Sequence, residues 1–241
     1  MKEMKLPKLR SKATLLAVGL TGAFLIVAVR LIGPAHVLSF EPAPTGYDPL
    51  TATEIDTVVA VALRAASDVI PSAAAASAPE VLLVERHEAS KAEYASGQWP
   101  RQGDVYHYDY ATDTLIHTVV DVASGAVTSV ERVQGVQLPL SAGEKARALD
   151  LIRAEDKLWT VLAERYQTIT GEPLQGFEQL NVKVSVFHAD VMPGSLNEAA
   201  QRCGQRRCAQ ALLFTTDQTL LELMPIVDLS QGRVVQTLGE E

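Results

Sequence analysis

Five histidines, His36, His87, His107, His117 and His188, are the residues most suited to chemistry in this chain. His107 and His117 lie ten residues apart, on strand candidates separated by a turn near Thr112. If those strands pair with both rings on one face, Asp109 adds a carboxylate and completes a set of nitrogen and oxygen donors suited to copper or zinc. His107, His117 and Asp109 are therefore the candidate metal ligands. The plainer reading is two polar strand residues beside Tyr106, Tyr108 and Tyr110, which alternate and share one face. Glu85-Arg86-His87-Glu88 places an acid, a base and an imidazole in sequence, but neighbouring strand positions point to opposite faces, so adjacency alone makes no site. Cys203 and Cys208 are the two cysteines, separated by Gly204-Gln205-Arg206-Arg207. They cannot supply a four-thiolate zinc site, and their spacing is not that of a Cys-x-x-Cys redox pair. Outside the cytoplasm they predict a structural disulfide across a hairpin. Arg202, Arg206 and Arg207 around them form a basic spot suited to lipid head groups or an acidic partner. Gly-x-Ser-x-Gly, His-Glu-x-x-His and Gly-x-x-x-x-Gly-Lys-Ser/Thr are all absent, so the sequence predicts no catalytic residue, no cofactor and no small-molecule substrate.

The elements that carry these residues begin with an address. The chain has 241 residues, 47% hydrophobic and 21% charged, which fits a globular body and is too polar for a polytopic membrane protein. Aromatics are 5% and no Lys/Arg tract is joined to them, which argues against nucleic-acid binding. The net charge is −8, yet residues 1–30 hold six bases and one acid, leaving 15 bases and 28 acids in residues 31–241. A basic tip precedes an acidic body. Between Lys12 and Arg30 runs the uncharged stretch Ala13–Val29, about 25 Å long as a helix, and snorkelling flanks extend its reach toward a hydrocarbon core of about 30 Å. A signal peptide normally has a shorter apolar core ending at a small-x-small site. The reading is therefore a cytoplasmic basic tail at 1–12, an uncleaved transmembrane helix at 13–33 with Lys12 and Arg30 as its flanks, and a linker at 34–47. By the positive-inside rule the body then lies in the periplasm or outside the cell.

The body reads as a duplication. Pro49-Leu50-Thr51-Ala52-Thr53-Glu54 parallels Pro139-Leu140-Ser141-Ala142-Gly143-Glu144, and each contains the Thr/Ser-x-x-Glu capping box that starts a helix. Later, Val119-Val120-Asp121-Val122-Ala123-Ser124-Gly125 parallels Ile226-Val227-Asp228-Leu229-Ser230-Gln231-Gly232, an apolar strand, an Asp and a tight turn with Gly. The order is the same in both halves. After Thr51, Ile55, Val58, Val59, Ala62, Leu63 and Ala66 form a helical stripe; after Ser141, Ala148, Leu151, Ile152, Leu158, Trp159 and Leu162 form another, interrupted at Glu155. Strand candidates are 80–86, 103–110, 114–122 and 126–133, then 180–188, 208–215, 219–228 and 233–238. The expected class is α+β: two tandem domains at 48–138 and 139–241, each a helix packed on an antiparallel sheet.

The phrase Asp48-Pro49-Leu50-Thr51-x-x-Glu54-Ile55 resembles the start of the small N-terminal domains of copper amine oxidases. So do the strand Val81-Leu82-Leu83-Val84-Glu85, the following Lys91, and the hairpin from Val119 to Val127. PepSY-type domains share an apolar-Asp-x-x-x-Gly hairpin. The amine-oxidase resemblance implies a cystatin-like fold in both halves. It departs from the family where chemistry would lie: there is no Asn-Tyr pair to give the quinone, no His-x-His for copper, and no length left for a catalytic domain. The function expected is a membrane-anchored, non-enzymatic binding or accessory subunit, showing two such domains to a larger membrane protein complex. The alternative is an extracytoplasmic copper- or zinc-handling protein related to amine oxidases.

Overall fold

The computed structural model describes residues 46–67, 79–97, 99–192 and 194–239. The tail, the expected membrane helix at 13–33 and nearly all of the linker lie outside the described residues. Among the described residues no helix is long and apolar enough to cross a membrane.

Thr51 starts helix α1 (Ala52–Ser67) by accepting the Glu54 N–H at 3.3 Å, while the Glu54 carboxylate accepts the Thr51 N–H at 2.7 Å. Strand β1 (Glu80–Arg86) follows, then a short helix α2 (Lys91–Ser96), and strands β2 (Gln102–Asp109), β3 (Thr114–Asp121) and β4 (Val127–Gln134). They pair in order as one antiparallel sheet. Helix α1 buries Val58 and Ala62 against Val105 and Val120 on one face of that sheet. At Gly103, a Cβ would stand 3.1–3.2 Å from Leu50 and Val58, so the missing side chain lets the helix close on the strand.

The second half repeats the plan. The Ser141 capping box starts α3 (Ala142–Ala154), and α4 (Asp156–Thr170) follows directly. The single expected helix is thus two, broken at Glu155, whose backbone is extended. Strands β5 (Asn181–Val186), β6 (Cys208–Phe214), β7 (Met224–Asp228) and β8 (Arg233–Leu238) make a second four-stranded antiparallel sheet. The expected strand at 219–228 begins only at Met224, because Gln218 and Glu222 take positive φ values of 69° and 56°, which ladder geometry does not allow.

The two hairpins match in detail. Each has a register shift, at Val119/Val120 and at Ile226/Val227. Each turns on a glycine at φ 66°, Gly125 and Gly232. Pro44–Glu241 form one compact unit. Its main core joins Tyr108, Tyr110 and Leu115 of the first sheet to Ile152, Leu158 and Leu162 of α3 and α4 and to Ala211 and Leu213 of β6.

Candidate functional site

The pairing of β2 with β3 decides the fate of the expected metal ligands. His107 stands opposite Ile116 and His117 opposite Tyr106. Opposed residues share a face and neighbours alternate, so the two imidazoles point to opposite sides of the sheet. The expectation that they share a face is corrected by this register, which differs from the imagined one by a single residue. His107 is fully buried, and among the described residues neither of its ring nitrogens has a hydrogen-bond partner. Burial pushes it down to about 4, with the Arg132 charge adding to the effect and Asp109 opposing it. Asp109 holds the β2–β3 turn, accepting from Ala111 N–H at 3.0 Å and Thr112 Oγ1 at 2.6 Å. Among the described residues no group of three or more His, Cys, Asp or Glu is placed to hold a metal ion.

What the sheet gathers instead is His87, Asp104, Tyr106 and His117. One carboxylate oxygen of Asp104 lies 2.8 Å from His87 Nδ1 and 2.8 Å from His117 Nε2. The Tyr106 ring stacks on His117 at 4.3 Å with 7° between planes. Glu131 Oε2 stands 4.0 Å from His117 Nδ1. Asp104 escaped sequence reasoning because its partners are 13 and 17 residues away and meet it only through the ladder.

The most organised polar chemistry lies at the base of each half, and it occurs twice. Arg101, just before β2, donates from Nε to Glu54 Oε1 at 2.6 Å and from Nη2 to Glu54 Oε2 at 2.8 Å. The same guanidinium reaches the carbonyls of Asp48 at 2.9 Å and Pro49 at 2.8 Å. Arg207, just before β6, repeats this with Glu144 at 2.7 and 2.8 Å and with the carbonyls of Leu138 at 2.6 Å and Pro139 at 3.1 Å. Each is a two-pronged pair that fixes the capping carboxylate and the chain entering the helix. The Arg101 hydrogen bonds hold Glu54 down at about 2. At Glu144 burial acts to raise the value, but the hydrogen bonds and charge of Arg207 outweigh it and keep the carboxylate below its ordinary range. Arg207 and Glu144 are both fully buried. Tyr110 of the first half donates to Glu144 Oε1 at 2.8 Å and Arg207 Nη1 donates to Gln137 Oε1 at 3.1 Å, which ties the halves together. The capping boxes were visible in sequence. The arginines were not, because 47 and 63 residues separate them from their glutamates.

Cys203 and Cys208 are joined as a disulfide, with Cα atoms 5.4 Å apart. It closes the loop that delivers Arg207 to Glu144. The expected basic spot is therefore mostly internal: Arg207 is buried, and Arg206 pairs with Asp228 at 3.2 Å. Tyr108 and Tyr110 lie in the core shared by both halves. Lys12 and Arg30 lie outside the described residues.

Fold and site together define a class: an α+β protein of two helix-on-sheet halves, each sealed by an arginine–glutamate clamp. No protein-family profile matches the chain, and no curated protein matches it. Among solved structures it is similar to a copper-containing benzylamine oxidase from Hansenula polymorpha, with a TM-score of 0.53 and 15% identity, over 81% of this chain and 30% of that one. At that identity the likeness is one of fold alone, and the chain spans under a third of that enzyme's length.

Proposed function

We propose that the protein is a membrane-anchored, non-catalytic binding or accessory subunit that shows two amine-oxidase-N-terminal-like halves, outside the cytoplasm, to a larger membrane protein complex. The observation that carries this reading is the pair of clamps. The best-oriented acid–base pairs of the body, Glu54–Arg101 and Glu144–Arg207, satisfy each other and the backbone, and so act as architecture. The uncharged run between Lys12 and Arg30 supports the anchor, and the acidic body supports exclusion of nucleic acid. A copper- or zinc-handling role finds no comparable support, since its proposed imidazoles face apart. The test is purification from native membranes in mild detergent, followed by mass spectrometry. A stoichiometric larger assembly is expected, with the chain resisting alkaline extraction. Recovery of the chain alone from washed membranes, or its release by alkali, overturns the reading.

A further inference from the structure

Among the described residues Tyr47 and Tyr94 are the two exposed aromatic side chains, at 62% and 40%. They stand together. The Tyr47 ring meets the Trp99 indole edge-on at 4.5 Å, the Tyr94 ring lies 5.0 Å from the same indole, and the two tyrosine rings are 6.1 Å apart. Beside Tyr47 an open depression of about 420 Å³ adds Leu50, Ile55 and Val84 to the apolar surface, with Glu85 and Arg86 among its lining. Helix α2, which carries Tyr94, has six residues and buries none of them. A helix that short gains little from its own hydrogen bonds and is normally held by packing. This one is fastened by the Ser90–Glu93 capping box and by Tyr94 against Trp99. Lys91 precedes Tyr94 by one turn and shares its side of the helix.

The chain enters the body through this cluster. Arg86 Nη1 donates to the Gly46 carbonyl at 3.0 Å. A Cβ at Gly46 would collide with the Trp99 indole, so the missing side chain lets the entering backbone lie against the ring. Ahead of it, residues 34–45 reach at most about 40 Å when fully extended. A tether of that length, starting from a bilayer, leaves this corner of the body within reach of the lipid surface.

We propose that Tyr47, Tyr94 and Trp99 form a lipid-docking surface that seats the body on the headgroup region of the bilayer holding its anchor. The proposal rests on the membrane-anchored reading and adds the surface that the lipid meets. Rings with an apolar body and a polar tip settle at the boundary between acyl chains and headgroups. The Lys91 ammonium, beside Tyr94, suits a lipid phosphate. Residues 31–241 hold 15 bases and 28 acids, so overall charge opposes anionic lipid. The rings therefore carry the contact, which forms on zwitterionic phosphatidylcholine and survives salt.

The test uses the full-length chain in phosphatidylcholine vesicles. Trp159→Phe leaves Trp99 as its one indole and keeps an aromatic ring against Phe177. With bromine placed near the top of the acyl chains, Trp99 emission is expected to fall about twofold relative to vesicles without bromine, equally in low and high salt. Tyr47→Ser with Tyr94→Ser is expected to remove most of that fall with circular dichroism unchanged. Tyr94→Ser alone, on a helix that buries nothing, is expected to remove part of it. Equal emission with and without bromine, as a patch covered by a partner protein predicts, overturns the proposal. So does a bromine effect untouched by the tyrosine variants. Alkaline extraction of the same vesicles separates the two readings. A chain that stays in the lipid with Trp99 unquenched defeats only the docking surface, whereas a chain released by alkali defeats the anchor and the docking surface together.

Discussion

His107 is a buried imidazole whose ring nitrogens meet no hydrogen-bond partner among the described residues. Its folded-state value of about 4 lies below the ordinary 6.5, so the unfolded chain binds the proton more readily. Stability is therefore complete above pH 6.5 and falls as the pH drops from 6.5 toward 4. Between pH 7 and 4.5 this one group accounts for a loss of about 2–3 kcal/mol. His107→Leu is expected to remove that loss, seen as urea midpoints that differ less between the two pH values than in the wild type. The clamps behave in the opposite manner to an unpartnered group. Arg207→Met leaves Glu144 buried without its cation and is expected to cost about 3–5 kcal/mol, whereas Arg101→Met, at a partly exposed site, costs clearly less. Equal losses in denaturant unfolding would defeat this ranking. Polarity and spacing announced the capping glutamates in the sequence; the cations that meet them depend on register, which residue types alone do not encode.

The strands were legible wherever alternation or an unbroken apolar run was bounded by turn residues, as at Glu80–Arg86 and Arg233–Leu238. Legibility failed where a local backbone state overrode side-chain pattern, as at Glu222, which delays β7. Helix α2 was missed although Ser90 and Glu93 form the same capping box read at Thr51 and Ser141, because no apolar stripe follows it and none of its residues is buried. The matched hairpins make a paired prediction. Gly125→Ala and Gly232→Ala each force a Cβ into left-handed geometry and are expected to cost about 1–2 kcal/mol, nearly the same in both. A large cost at one and none at the other in thermal melts would argue against equivalent turns. The disulfide closes a short loop, so its removal by Cys203→Ser with Cys208→Ser is expected to cost about 2 kcal/mol, measured as a lower melting temperature.

The two halves repeat one plan but share a core, since Tyr108, Tyr110 and Leu115 pack with the helices of the second half. The body is accordingly expected to unfold in one calorimetric transition; two resolved transitions would show that the halves hold themselves up separately. The repeat was readable as paired phrases, and the merger was not, because the tyrosines that bridge the halves look from sequence like any alternating strand. Arg101 grips the carbonyls of Asp48 and Pro49, where the chain enters the body. A pull on the chain ahead of Asp48 therefore reaches this rivet before any turn of α1. The load passes sideways into β2 at the middle of the sheet, so the molecule resists being peeled from its amino-terminal side.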